Sequence, residues 1–524
     1  MKKIVFAAAL VLAASTTVCA QSIYDAAKLT DKDLNGTARF VGMGGAMGAL
    51  GGDISTIGTN PAGIGIFRSN DMMTSFSFSA YGTESKYAGK TFTNDKNRWA
   101  YDNIGFVVAS KIGNETPLRY VNFGFNYKRT KSFYKNMSMA GMMGELDGRF
   151  ISQSHFMGLQ ANDCGIDLGA KNVFKDPDAG WLAALGWNGA LLNQDDNNIY
   201  HSFADTEAQS NFRSKETGGI DQYDFNVSLN LSDRVYLGLT IGAYDVNYKK
   251  YSEYDEDFGS GAGYLLKSWN QIDGAGVDAK FGIIVRPFEA SPLRLGVAVH
   301  TPVFYNLTYT TSARLESDVY VGDNSKPTSF NVDTYDEVGD MSQDYHLRTP
   351  WKYNFSLGYT MGKSLALGAE YEYEDYSTIK FNYPEGDRMD FETNEAKLNL
   401  KGVHSFRVGA EYKVIPQFAL RLGYNYSSAQ FKDEALKYLP ANSVMTDTDF
   451  SNKKARNNYT LGIGYRGSIF YADLAYQYTT YKEDFYPFYN ELELSANNWT
   501  LVTPEATKVT NSRSQVLFTL GVRF

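Results

Sequence analysis

From Asp71 to the terminal Phe524 the chain alternates apolar and polar residues with a period of two, and this constrains its fold more than any other feature. Successive side chains of a strand point to opposite faces, so such a run has one apolar and one polar face. In 364–378, Leu365, Leu367, Ala369, Tyr371 and Tyr373 share a face, opposite Gly368, Glu370, Glu372 and Glu374. In 416–428, Phe418, Leu420, Leu422, Tyr424 and Tyr426 oppose Ala419, Arg421, Gly423 and Asn425. In 274–287, Val277, Ala279, Phe281, Ile283 and Val285 oppose Asp278, Lys280, Gly282 and Arg286. A water-soluble sandwich and a membrane barrel both produce this pattern. They differ in which face is inside.

Fourteen such runs are legible: 71–82, 101–111, 119–131, 221–232, 234–248, 274–287, 292–309, 351–361, 364–378, 402–413, 416–428, 456–466, 468–480 and 513–524. The links between them are short at one end and long at the other, with 83–100, 249–273 and above all 132–220 expected as long loops. An even strand count with short turns below and long loops above is the layout of an outer-membrane barrel. The expected fold is therefore all-β, a 14-stranded antiparallel transmembrane β-barrel. Its last run alternates Val516, Phe518, Leu520, Val522 and Phe524 with Leu517, Thr519, Gly521 and Arg523. A final amphipathic strand ending in an aromatic residue resembles the assembly signal of such barrels, which implies the barrel assembly machinery and outer-membrane lipid as partners.

Composition agrees. Aromatics make up 15% of the 524 residues and Gly outnumbers Pro by 48 to 13. Mean hydropathy is −0.36, and no window beyond the first residues approaches the roughly 20 apolar positions of a spanning helix. Residues 1–20 read as a secretory signal: Lys2 and Lys3, an apolar core over 4–14, and Val18-Cys19-Ala20 before a cut at Gln21. Lipidation at Cys19 is the weaker alternative, since Thr17-Val18 is a poor context for it. Cleavage takes the formal charge from −9 to −11 by removing two lysines, and it leaves Cys164 alone. That excludes a disulfide framework and a cysteine metal cluster, and an acidic chain is a poor nucleic-acid binder. Residues 21–70 then form a hatch or plug, and 71–524 the barrel.

Residues 22–37 are polar with no clear period; 38–67 are small, Gly-rich and nearly uncharged. Gly42-x-Gly44-Gly45-x-x-Gly48 lacks the strand–helix, parallel-sheet context of a dinucleotide loop. Many inward mid-strand positions are glycine: Gly124, Gly238, Gly282, Gly296, Gly358, Gly368, Gly409, Gly423, Gly462 and Gly521. Strand curvature accounts for some of them; the others are expected to make room for the plug. Arg286, Arg294, Arg466 and Arg523 fall near the short-turn end, either as partners of the plug and lumen solvation or as a ring of cations steering an anionic ligand.

The run G-M-G-G-A-M-G-A-L-G-G-D-I-S-T-I-G-T-N-P-A-G resembles the start of the mature FadL/TodX-like family of outer-membrane hydrophobic-compound transporters. The family's hatch carries an acidic residue about seven positions before an Asn-Pro-Ala triplet; the matching residues here are Asp53, Asn60, Pro61 and Ala62, followed by Gly63. The resemblance implies a 14-stranded barrel that passively takes up hydrophobic small molecules such as long-chain fatty acids. Long extracellular loops would capture the ligand and the hatch would gate its passage. It implies no cofactor, no metal and no catalytic residue.

The loop 132–220 carries the candidate ligand contacts Met142, Met143, Phe150, Trp181, Leu182 and Leu185, the last three at helical spacing. Methionines adapt to irregular apolar ligands; alternatively these side chains form the loop's own core. Of the five histidines, His155, His201, His300, His346 and His404, none sits in a defensible Ser or Cys nucleophile motif, so an enzyme is not expected. A haem or porphyrin receptor using His155, His201 and loop tyrosines is the nearest rival, and a structural barrel or adhesin the next.

Overall fold

The computed structural model describes residues 21–146, 149–204, 206–322, 325–495 and 498–524; the signal at 1–20 lies outside them. The wall strands are β1 Asp71–Tyr87, β2 Lys90–Lys111, β3 Leu118–Ser132, β4 Gln209–Leu231, β5 Val235–Gly259 and β6 Ala262–Val285. Next come β7, in two pieces, Arg294–His300 and Phe304–Val319, and β8, Met341–Arg348 and Lys352–Met361. They are followed by β9 Leu365–Asp375, β10 Gly402–Ile415, β11 Phe418–Ser427, β12 Phe450–Arg466, β13 Phe470–Tyr486 and β14 Thr507–Arg523. Neighbours pair antiparallel in sequence order, and β14 closes on β1 from Asp71↔Arg523 to Lys86↔Lys508. The barrel is closed and fourteen-stranded.

The direction of the alternation is decided by exposure. Leu420, Leu422, Leu461 and Ile463 point outward and are 51–61% exposed, while Glu370, Arg421, Asn458 and Asp473 point inward and are buried. Apolar surface on that scale is stable only against lipid. Among the described residues no helix is long and apolar enough to cross a membrane.

The wall strands run on beyond the membrane, and there the polarity inverts. In β5, Leu239 and Ile241 face out; further along, Tyr244, Val246 and Tyr248 are buried inside while Asp245, Asn247 and Lys249 are exposed. In β7 the inversion is accompanied by a break at Thr301-Pro302-Val303, where one extra residue opposes β6. Below it Ala298 and His300 face inward; above it Tyr305, Leu307 and Tyr309 do. An inserted residue swaps every later side chain to the other face, and proline contributes no ladder N–H. β8 breaks at the same level, at Thr349-Pro350-Trp351.

Two expected loops are therefore strand. The segment 83–100 is the top of the β1–β2 hairpin, turning at Ala88-Gly89, and 249–273 that of β5–β6, turning at Ser260-Gly261. All four turn residues have positive φ, as tight hairpin turns require. The described residues also form six α-helices: α1 Ile23–Thr30, α2 Ala38–Gly42, α3 Gln153–Cys164, α4 Trp181–Asn188, α5 Thr334–Val338 and α6 Asp390–Asn399. The reading of 22–37 as aperiodic is corrected by α1. Its N-cap Ser22 accepts from the Tyr24 amide, and it buries Ile23, Ala26, Ala27, Leu29 and Thr30.

Candidate functional site: the plugged lumen

The hatch is a chain of short turns tied by its own polar side chains and by the wall. Thr37 caps α2 by accepting from the Phe40 amide, and its hydroxyl donates to Asp53 at 2.8 Å. Asp53 in turn caps the 3-10 turn Ile54–Gly58 through the Ser55 amide. Asn60 caps the next turn, Pro61–Ile66, through the Ala62 amide, and its Nδ2 donates to the Ile283 carbonyl of β6 at 3.2 Å. Ser228 donates to the Pro61 carbonyl, Asn122 to Ile64 and Phe67, and Arg294 to Leu50. The Gly63 carbonyl accepts from the Gly52 amide, joining the two Gly-rich segments. Arg39 forms a two-pronged pair with Glu411 at 2.8 and 2.9 Å, and Arg421 bridges Glu411 and Asp473.

The inward glycines are where the hatch touches the wall. A Cβ on Gly238 would overlap Pro61 and Ala62; on Gly282, Asn60; on Gly368, Ala46; on Gly409, Met43; on Gly423, Gly44 and Met43. One on Gly296 would lie 2.9 Å from Asn60 Nδ2, and one on Gly358 3.0 Å from Leu50. A Cβ on Gly462 would lie 3.3 Å from the Gly42 Cα and one on Gly124 has ordinary room, whereas Gly521 accommodates a wall residue, Tyr471.

Above the hatch lies a charged chamber. Asp31 and Asp33, on the linker between α1 and α2, meet four cations from three strands. Asp31 pairs with Lys131 and Lys453 at 2.6 Å and with Arg456 at 3.0 Å; Asp33 pairs with Lys131 at 3.2 Å and Arg513 at 3.3 Å. A cavity of about 190 Å³ surrounds this ring on the outer side and one of about 90 Å³ on the hatch side. α1 is suspended above, with Tyr24 stacked on Phe431 at 4.6 Å and Lys28 paired with Glu216.

The chamber is capped by one continuous apolar cluster that joins α1, the loops and the inward face of the upper strands. Trp181, Leu182 and Leu185 of α4 and Met143 are buried in it, Phe150 is half-buried, and Met142 is 42% exposed. Trp181 packs edge-on to Phe174 and donates to its carbonyl. In the cap, burial lowers the His155 pKa and pushes the Cys164 thiol up to about 11. Burial, reinforced by the Glu392 carboxylate, raises Glu395 of α6 to about 7 against the pull of Asn399.

Pairing between β2 and β3 stops part-way up the wall and leaves a seam. β2 and β3 pair from Lys111↔Tyr120 up to Asn103↔Lys128 and no further, while β2 continues to Lys90 bonded to β1. At that level Tyr101, Tyr127 and Tyr223 form a row on the outer surface, with centroids 5.8 and 5.4 Å apart; Phe106, Phe125 and Phe225 form the row below. Aromatic rows of this kind mark the membrane interface. Directly inside is a small cavity bordered by Ala100 and Asp102 of β2, Arg129 and Lys131 of β3, and Asp33 of the hatch linker. It shares Asp33, Tyr81, Lys131 and Arg513 with the 190 Å³ cavity.

Of the four arginines near the short turns, Arg294 holds the hatch, Arg523 pairs with Asp71 at 3.2 Å, Arg466 lies over the Tyr471 ring, and Arg286 is half-exposed beside the β6–β7 turn. They do not converge on a shared ligand. His155 bonds the Ala204 carbonyl, His201 lies 3.3 Å from Asp195, His300 contacts the Thr59 carbonyl and His404 faces outward to Tyr371. No group of three metal-ligating side chains occurs among the described residues. Sequence reading missed α1, the Asp31–Asp33 ring and the seam. Ser22 before Ile23, Ala26, Ala27 and Thr30 was a usable helix signal; the ring and the seam, assembled from distant strands, had none.

No protein-family model matches the chain and no curated protein matches it. Among solved structures it is similar to a FadL homologue from Pseudomonas aeruginosa at 12% identity and TM-score 0.49, covering 94% of this chain and 99% of that one. It is also similar to the toluene transporters TodX of Pseudomonas putida (10%, TM-score 0.47, 94% and 100%) and TbuX of Ralstonia pickettii (12%, 0.47, 94% and 99%).

Proposed function

We propose that this barrel moves hydrophobic small molecules, long-chain fatty acids among them, passively across the outer membrane, with the hatch as its gate. The observation that carries the reading is the β2–β3 seam. The hatch closes the barrel axis below and the packed cap closes it above, so a water-soluble solute has no straight path. The wall is instead unzipped sideways, at an interfacial aromatic row, with the chamber directly behind. Only a molecule at home in lipid gains from an opening there. Met142 is the loop candidate a ligand meets first; Met143, Phe150, Trp181, Leu182 and Leu185 become contacts once the cap loosens. The motif Asp53 with Asn60-Pro61-Ala62-Gly63 holds the gate, and Arg286, Arg294, Arg466 and Arg523 serve its lower rim. Outer-membrane lipid and, through the strand ending in Phe524, the barrel assembly machinery are the partners of this reading.

The test is uptake of radiolabelled oleate by protein-loaded liposomes. Ala100→Trp fills the space behind the seam and is expected to slow uptake at least tenfold while the barrel keeps its heat-modifiable gel mobility. Unchanged uptake in a folded Ala100→Trp barrel removes the seam as the route, and no uptake by the unaltered protein removes the transport reading.

A further inference from the structure

The chamber wall carries more positive charge than its own carboxylates use. Seven basic and four acidic side chains border the 90 Å³ cavity on the hatch side of the ring. Each of the four acids is already engaged: Asp31 and Asp33 in the ring, Glu372 with Arg407 and Lys352, and Glu374 with Lys352. Lys454 pairs outside the cavity with Asp484. Two ammonium groups are left over. Lys32, on the hatch linker, lies 5.2 Å from the Tyr244 ring and in the field of Asp278 and Glu374, both of which are paired with other lysines. Lys128 of β3 reaches over Gly58, where a Cβ would stand 3.0 Å from its Nζ. Neither makes an ion pair or hydrogen bond among the described residues. Asp224 and Asp278, the next carboxylates along the wall, are both taken by Lys280.

An enclosed ammonium without a direct ion-pair partner is costly, and two in one cavity repel each other. In a chain of strongly negative net charge, a cavity with this surplus is specific to a negative guest. Its size is compatible with that guest: about 90 Å³ is enough for one tetrahedral oxyanion. The bordering groups Ser405, Ser427 and Asn425 add neutral donors suited to its remaining oxygens.

We propose that this cavity is a seat for a doubly charged phosphate-type oxyanion held by Lys32 and Lys128. The charge count selects the class. A carboxylate cancels one ammonium, whereas a phosphate monoester, carrying close to two charges at neutral pH, cancels both. The cavity shares Asp31, Asp33, Lys453 and Arg456 with the 190 Å³ cavity, so the seat lies on the path from the seam. An alkyl phosphate would place its head on the two lysines and its chain in the larger space. The proposal rests on the transport reading for the ligand's route, but not for the seat itself.

The experiment measures equilibrium binding of inorganic phosphate, decyl phosphate, decanoate and decanol to the full barrel in non-ionic detergent. Lys32→Met/Lys128→Met is expected to weaken phosphate-type binding at least tenfold, and Lys32→Arg/Lys128→Arg to restore it. Gel mobility reports folding in each variant, and the arginine pair keeps the test decisive if the methionine pair does not fold. Binding of inorganic phosphate as tightly as decyl phosphate assigns the seat to the free ion; binding of decyl phosphate alone assigns it to an amphiphile's head. Decanoate bound as tightly as decyl phosphate, or either phosphate bound equally by the methionine pair, overturns the proposal. Oleate uptake run on the same variants separates the two readings, since it depends on the seam and not on the lysine pair.

Discussion

Asn60→Ala tests whether the hatch is a separable gate. The side chain does two jobs: its Oδ1 caps the Pro61–Ile66 turn and its Nδ2 bonds the β6 carbonyl of Ile283. Losing a cap costs about 1 kcal/mol and losing a neutral hydrogen bond about another 1 kcal/mol. The strand carbonyl keeps its ladder partner, so the loss falls on the hatch. About 2 kcal/mol corresponds to a roughly thirtyfold larger population of the undocked hatch. Hydrogen exchange by mass spectrometry reads this directly. Peptides over 53–67 are expected to lose protection by about that factor, while β10, β11 and β12 keep theirs and the barrel retains its gel mobility. Protection lost evenly across hatch and wall would show that the hatch is part of the barrel's structural core and would refute the gate. Unchanged protection at 53–67 would refute the docking role of Asn60.

Gly368→Val drives a side chain into Ala46 and is expected to expose 42–50 to exchange in an assembled barrel, whereas Gly521→Val meets Tyr471 and is expected to lower the barrel's own melting temperature. Trp181→Ala removes a side chain only 1% exposed; a loss of about 3–5 kcal/mol in the cap should appear as faster protease cleavage of 132–208, with the strands intact. Glu395 gives a pH signature. Burial raises its pKa in the folded cap from 4.5 to about 7, so between those values the folded state binds more protons than the unfolded one. The docking of α6 is then strongest below about pH 4.5 and weakens as pH rises to about 7. Exchange of 390–399, corrected for intrinsic rate, is expected to quicken over that window in the native chain and to stay flat in Glu395→Gln.

The strands were legible because lipid imposes a simple rule on them. Wherever the wall meets hydrocarbon, Leu420 and Leu422 must face out and Arg421 in, and the period of two follows without help from the rest of the chain. The same rule hid the upper barrel. At Tyr244 the outside becomes water and the inside becomes a protein core, so apolar residues move to the opposite face while the backbone ladder continues unbroken. Read as polarity, the strand stops soon after, at Tyr248; read as hydrogen bonding, it runs on to Gly259. The glycines were legible for a different reason. Gly368 and Gly409 break an otherwise regular inward face, and a missing side chain implies something pressed against it. The ring and the leftover lysines have no such local trace. Asp31, Lys131, Lys453 and Arg513 are ordinary polar residues in sequence, and only the closure of β14 on β1 brings them together. A barrel interior is assembled from every strand at once, so its charge balance belongs to the closed ring and to no stretch of the chain. That is why the surplus at Lys32 and Lys128 emerges only once each carboxylate's partner is known.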